Sequence, residues 1–312
     1  MNVNDYLENT EILLENENYH KYKIKCDNGY GYMTVYDILP GIQLIMNDFH
    51  CDICPESTKR FPYQFLEINH CLHGRFESVF EENRYGYLGE GDVSMSDWSI
   101  NKKTSHFSLG YYFGIEILIN IDVACQNEML KQFHIDLMSL FDKVQKNHKL
   151  LIVRSTERIK HIYWELYQDF DVLKEDYLKI KILELLYFLQ NATFESENER
   201  HYYTKWQIET VRCIKKELTE TLTECDIQML CDKYHISLSK LRKCFKDIYG
   251  KPVYKWHKEY RLQKAKDLLE QTDLSIIEVA SYIGYDNPSK FAAAFYRFTN
   301  EKPLNYRKNH KI

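Results

Sequence analysis

The residues best suited to chemistry form a short run near the C-terminal end: Ser237, Ser239, Lys240, Arg242, Lys243 and Lys246. If this run is helical, Leu238, Leu241, Phe245 and Ile248 share one face and the four cations lie off it. Ser239, Lys240, Arg242 and Lys243 then project outward near the helix start. Arginine and lysine donors match guanine O6 and N7 and also phosphate oxygens, so the chemistry is recognition of a nucleic acid. A second run about fifty residues on, Asn287, Ser289 and Lys290, has the same polar start ahead of Phe291, Ala292, Phe295 and Phe298.

Both runs need helices to hold them, and the sequence supplies start signals. Ser237, Ser275 and Asn287 stand where a side-chain oxygen can accept an orphan N–H of the following helix. Pro288 fits the first helical position after Asn287. Ahead of each run lies another short apolar-faced helix, with Ile227, Leu230 and Cys231 in the first and Ile276, Ile277, Val279 and Ala280 in the second. Small residues, Cys231 and Ala280, precede the turn residues His235 and Gly284 by four positions. Helix, tight turn, helix, twice over, is the helix-turn-helix arrangement, whose second helix enters a major groove. Between the units, Val253, Trp256, Tyr260, Leu262, Ala265, Leu268 and Leu269 predict one connecting helix within Pro252–Gln271.

The stretch from about Lys205 to Tyr306 resembles the DNA-binding domain of the AraC/XylS family of transcription regulators. The residues that carry the resemblance are Ile236–Ser237, Leu241, Phe245–Lys246 and Gly250–Lys251–Pro252, then Tyr260–Leu269. It continues with Ile277–Ala280, Ile283–Tyr285, Phe291, Phe295, Pro303 and Tyr306–Arg307. By family position Ser239, Arg242 and Lys243 are expected at base edges, and Lys240 and Lys246 at phosphate. Three positions depart from the pattern: His235 replaces a turn glycine, Asn300 replaces another, and Ala293 stands where the second recognition helix often carries arginine. The missing arginine implies fewer base contacts from the second unit.

Charge is distributed to match. The chain carries −5 overall. Residues 205–312 hold 21 Lys+Arg against 14 Asp+Glu, a net of +7, while the remainder holds 20 against 32, a net of −12. A basic C-terminal part on an acidic partner is expected when only one part meets phosphate. The nine cysteines are an odd number and scattered, the first eighteen residues are polar, and no apolar run approaches membrane-spanning length. Reduced thiols and a cytoplasmic location follow as expectations.

The first 312-residue question is domain count, and two cores are expected. Residues 1–25 read as a polar helical lead-in around Ile12, Leu13 and Leu14. From Gly29 short strands alternate with turns: Tyr30–Tyr36, Ile38–Phe49, Phe65–Leu72, a turn at His73–Gly74, Arg75–Phe80, Tyr85–Leu88, a turn at Leu88–Asp92, Val93–Met95 and Phe107–Ile121. Many short strands imply a barrel or sandwich. By resemblance to AraC-type regulators this is a cupin-like effector barrel, so the fold class is α+β with a C-terminal all-α domain. From Ala124 the period turns helical, in stripes of Met129, Phe133, Leu137, Leu140, Phe141, Val144 and of Ile159, Ile162, Tyr163, Leu166, Phe170. Tyr177–Leu189 is apolar nearly all round and predicts a buried helix. The expected boundaries are 1–122 for the barrel, 123–194 for helices that connect or pair subunits, 195–204 for a linker, and 205–312 for the DNA-binding domain.

A small-molecule pocket in the barrel is expected from its aromatic content, with Glu67, His70, Arg75, Trp98 and Tyr111 as effector-binding candidates. A metal or redox alternative rests on Cys51–Cys54 near Glu67, His70, Cys71, His73 and Glu77. No second Cys-x-x-Cys and no His-x-His pair accompanies it, so no cofactor is expected. No nucleophile elbow, phosphate loop or dinucleotide fingerprint points to catalysis. The expected protein is a dimeric regulator, more often an activator in that family, with promoter DNA, a small effector and RNA polymerase as partners and no membrane; the alternative beside the metal or redox one is an effector-independent regulator whose barrel serves dimerisation or protein contacts.

Overall fold

The computed structural model describes residues 10–16, 19–26, 28–54, 63–80, 84–98, 105–147, 149–168, 175–192, 202–223 and 225–311. The chain divides into two compact units, Met1–Thr204 and Lys205–Ile312.

The first unit opens with β1 (Thr10–Glu15), β2 (Tyr19–Cys26), β3 (Gly29–Leu39), β4 (Ile42–His50) and β5 (Ile53–Cys54). It continues with β6 (Phe65–Phe80), β7 (Arg84–Gly89), β8 (Asp92–Asp97), β9 (Ser105–His106) and β10 (Tyr112–Asn120). Helices α1 (Ile121–Ala124), α2 (Glu128–Gln132) and α3 (Leu137–Lys146) follow, then β11 (Leu150–Arg154), α4 (Glu157–Gln168), α5 (Glu175–Asn191) and β12 (Tyr203–Thr204). The strands form one antiparallel, barrel-like sheet in the order β1-β2-β3-β4-β10-β6-β7-β12, and it does not close. β8 joins β6 to β11, and β9 joins β5 to β6.

Period-two alternation divides the sheet into two faces. One face, with Leu44, Leu66, Ile68, Ile115 and Ile117, packs against α1–α5 in the main core. The other, with Tyr22, Ile24, Met33, Val35, Ile45, Phe65, Leu88, Tyr112 and Ile152, packs strand against strand as the sheet curls. β6 serves both. Gly74, at φ +91°, bends it, so that His70 pairs with Val93 of β8 while Arg75 pairs with Gly89 of β7. A Cβ at Gly74 would stand 2.2 Å from the Tyr111 carbonyl oxygen, which only glycine avoids.

Several expectations give way. The helical lead-in is strand: β1 pairs with β2, and Ile12, Leu13 and Leu14 are all exposed on it. Three adjacent apolar residues carry no period, and pairing with a neighbour decided the outcome. His73–Gly74 is a bend inside one long strand rather than a turn between two. Ile38–Phe49 is two strands, split at Pro40–Gly41 with Gly41 at φ +81°. Met129 and Phe133 are exposed, and Leu130 is the residue that α2 buries. β11 falls between the helical stripes, where no strand was expected. α5 is not buried all round: Ile180 is 59% exposed and Tyr187 lies on the same face two turns later. Phe170 and residues 195–201 lie outside the described residues, and Tyr203–Thr204 pairs with Tyr85–Arg84 of β7.

The second unit is α6 (Lys205–Glu220), α7 (Ile227–Lys233), α8 (Leu238–Tyr249), α9 (Val253–Gln271), α10 (Ile276–Tyr282), α11 (Pro288–Thr299) and α12 (Pro303–His310). α9 has 19 residues and is about 28 Å long at 1.5 Å per residue. α6 and α8 pack on it, as do α10, α11 and α12. Leu262, Ala265, Leu269, Val279, Ala280, Phe291 and Phe295 form one core there.

Candidate nucleic-acid interface

The two candidate reading helices are fixed by their caps. Asp226 accepts Gln228 N–H at 2.8 Å to start α7, and Ser237 accepts Lys240 N–H at 3.4 Å to start α8. Ser275 and Glu278 form a reciprocal capping box on α10, and Asn287 Oδ1 accepts the N–H groups of Ser289 and Lys290 on α11. Ser237 and Asn287, expected among the DNA-binding residues, use their side-chain oxygens to cap α8 and α11. The turns are tight. Gly284 has φ +78°, and His235 accepts φ +53° in the corresponding place. Asn300 ends α11 at φ +62°, a conformation asparagine tolerates better than most residues.

α8 buries Leu241, Cys244, Phe245 and Ile248. That burial forces Ser239, Lys240, Arg242, Lys243 and Lys246 outward, and all are exposed. The Arg242 guanidinium lies 5.5 Å from the ring centre of Tyr254, the second residue of α9, which steadies it without neutralising it. Among the described residues, none of Lys240, Arg242, Lys243 and Lys246 forms an ion pair. Cations elsewhere in the unit do: Lys233 with Glu217, Lys251 and Lys255 with Glu259, Lys264 with Asp267, Lys311 with Asp273. Four cations without carboxylate partners thus stand together on the outward side of one helix, where an anionic backbone can be met. On α11, Ser289 and Lys290 are exposed at the N-terminal end.

Three positioning residues, His257, Arg261 and Arg307, escaped the sequence reading in that role. α9 buries Val253, His257, Arg261, Ala265 and Leu269, an i, i+4 ladder with two polar members. His257 Nε2 lies 3.1 Å from Thr221 O, and Arg261 donates to Ile283 O at 3.2 Å. Arg261 thus ties the connecting helix to the carbonyl of Ile283, the residue that follows α10 in the turn of the second helix-turn-helix. Arg307 donates to Leu274 O and secures α12 to the segment before α10. A histidine and an arginine in register with apolar residues four apart were the available signal.

The effector candidates do not converge. Glu67 lies on the curled face, beside Asn69 and Ser96, which donate to its carboxylate at 3.0 and 2.7 Å. Trp98 packs edge-on against Phe65 of the same face. His70 is on the opposite face, stacked on Tyr163 of α4 at 4.0 Å, with Nδ1 3.1 Å from Tyr167 Oη. Burial there pushes its pKa down to about 3. Arg75 lies under Gly89, and Tyr111 is exposed before β10. Asn47 and Glu116, not expected, are joined at 3.0 Å on the curled face, and Asn47 Oδ1, in a side chain only 4% exposed, has no partner among the described residues. For the metal alternative, the Cys51 thiol donates to Ile53 O at 3.3 Å, and no three His, Cys, Asp or Glu among the described residues are placed to hold an ion.

Two helix-turn-helix units on one connecting helix, with a cationic reading helix, define a DNA-binding domain, and it is of the AraC/XylS type. Residues 230–309 match the family described as a helix-turn-helix domain. The bifunctional transcriptional activator/DNA repair enzyme AdaA of Bacillus subtilis is 29% identical over 115 residues, 37% of this chain and 53% of its own. The raffinose operon transcriptional regulatory protein RafR of Pediococcus pentosaceus is 32% identical over 87 residues, 28% of this chain and 31% of its own. The C-terminal domain of AraT, a response regulator from Geobacillus stearothermophilus, is 25% identical with a TM-score of 0.32, covering 33% of this chain and 87% of that domain. The chain thus spans about half, or less, of the length of the curated relatives it matches. No helix among the described residues is long and apolar enough to cross a membrane.

Proposed function

We propose that this chain is a sequence-specific, DNA-binding transcription regulator whose N-terminal unit responds to a small molecule. The observation that carries the DNA-binding reading is the outward side of α8, where Lys240, Arg242, Lys243 and Lys246 stand without carboxylate partners. Arg242 and Lys243, with Ser239, would take base edges; Lys240 and Lys246 would take phosphate. Arg242→Ala is expected to weaken a selected duplex about five- to 150-fold, from about 1–3 kcal/mol per bidentate contact, and random duplex far less. Equal loss on both, measured by fluorescence anisotropy at fixed salt, would make Arg242 a backbone contact.

The effector reading is supported by the polar arc on the curled face: Asn47, Glu67, Asn69, Ser94, Ser96 and Glu116. It is rich in acceptors, so the effector proposed is a small molecule rich in hydroxyl or amine donors. Such a ligand at a hundred times its Kd stabilises by about 2.7 kcal/mol, a visible rise in the melting midpoint. A metabolite panel that shifts the full chain nowhere, while metals or chelators do, would turn the reading to a metal sensor. Pairing of two copies through α4 and α5, activation, and contact with RNA polymerase complete the proposal. Effector binding can act only through unequal affinity for two arrangements of the helices between residues 125 and 194.

A further inference from the structure

The two reading helices can be superposed by their buried residues. Leu241, Cys244 and Phe245 of α8 are matched, fifty residues on, by Phe291, Ala294 and Phe295 of α11. The same offset carries Ser239 to Ser289, Arg242 to Ala292, Lys243 to Ala293 and Lys246 to Tyr296. At three outward positions where α8 has a cation, α11 has two methyl groups and a phenol ring. Ala293 and Tyr296 are exposed, and Ala292 is half-buried. They open on a cleft of about 440 Å³ completed by Ile276, Pro303 and Leu304, with Lys302 at its edge. The cleft is therefore continuous with the face that, on α8, meets DNA in the proposed function.

The offset keeps one cation, Lys240 to Lys290 at the helix start; beyond it the only donor at these positions is the Tyr296 hydroxyl, which lacks the bidentate fork and charge by which arginine and lysine take guanine O6 and N7. The one apolar group on the floor of the major groove is the thymine C5-methyl, and alanine side chains are among those that meet it. Alanines also leave room for the helix backbone to approach closely. Desolvated methyl against methyl gives discrimination without a hydrogen bond.

We infer that α11 reads its half of the site through thymine methyl groups, with Ala293 and Tyr296 as the specificity-determining residues. The first unit reads through hydrogen bonds, and the second, past Ser289 and Lys290 at its start, through apolar contact. This rests on the DNA-binding reading above. The test begins with selection of a binding site from randomised duplexes by the full chain. Each thymine of that site is then replaced by deoxyuridine, which lacks only the methyl. The expected result is a loss of about fourfold for each contacted methyl, confined to one half of the site. Ala293→Arg, an exposed substitution, is expected to abolish that loss and shift selection in the same half toward guanine. A site bound tightly but indifferent to deoxyuridine throughout overturns the inference alone, as does an Ala293→Arg protein with unchanged selection. Failure to recover any preferred site overturns the DNA-binding reading beneath it.

Discussion

At the scale of single residues, the sharpest physical statement concerns His70. Its ring is enclosed between β6 and α4, against Tyr163 and Tyr167. Ile115 N–H donates to Tyr167 Oη at 2.9 Å, which in turn reaches the ring Nδ1 and the His70 carbonyl. Burial, with Arg154 as a smaller contributor, lowers the pKa from 6.5 to about 3. The folded state therefore binds fewer protons than the unfolded state between those values, and stability falls as pH drops from 6.5 toward 3. This residue alone contributes a slope of about 1.4 kcal/mol per pH unit in that window. His70→Gln keeps a group able to bond Tyr167 but does not titrate. Its full-chain melting temperature is expected to fall less steeply between pH 6.5 and 4 than that of the parent. Parallel curves would show that His70 charges freely in the folded protein.

At the scale of elements, the domain's geometry rests on α9. Recognition helices must enter successive major grooves roughly 34–36 Å apart, and α9, about 28 Å long, is the member on which both units pack. Arg261 fixes the second unit to it through the Ile283 carbonyl. Arg261→Met keeps the buried stem and removes the donor, leaving that carbonyl without this partner. The expected cost is about 1.5–3 kcal/mol in urea unfolding. Binding to the selected site should fall further than that loss explains, because the turn before α11 is no longer held. A variant with parental stability and affinity would reduce Arg261 to a packing residue.

At the scale of the whole molecule, the first unit leaves large apolar groups in water. Trp164 of α4 is 57% exposed, and Ile180 and Tyr187 share one face of α5. Surface residues of this size on adjacent packed helices suit a self-complementary interface. The double substitution Ile180→Glu with Tyr187→Glu is expected to convert a dimer to a monomer in light scattering, with a parental circular dichroism spectrum and a melting temperature that no longer rises with protein concentration. Affinity for a two-site operator should then drop by about a hundredfold or more, since the second contact is no longer intramolecular. A parental protein that is monomeric at every concentration would assign these residues another partner.

Much of the second unit was legible from residues alone. Ser237, Ser275 and Asn287 announced helix starts because capping is local chemistry, settled within three residues. The buried stripe of α8 followed from helical period, and with it the outward direction of Arg242 and Lys243. The strand rhythm of Phe65–Leu72 and the turn at Leu88–Asp92 were likewise visible, because alternation and a positive-φ glycine are local properties. Tertiary structure decided the rest. Ile12–Leu14 became strand because β2 offered a ladder. β6 continued past Gly74 because two different strands were there to pair with it. Alternation had already put His70 and Glu67 on opposite faces of one strand, but which face would meet helices and which would meet strands was decided only by packing. Whether Arg261 was a surface cation or a buried tie depended on a carbonyl 22 residues away. Local periods and caps are written within one turn or one strand, whereas partners across a sheet or at the end of a helix exist only once distant segments have packed.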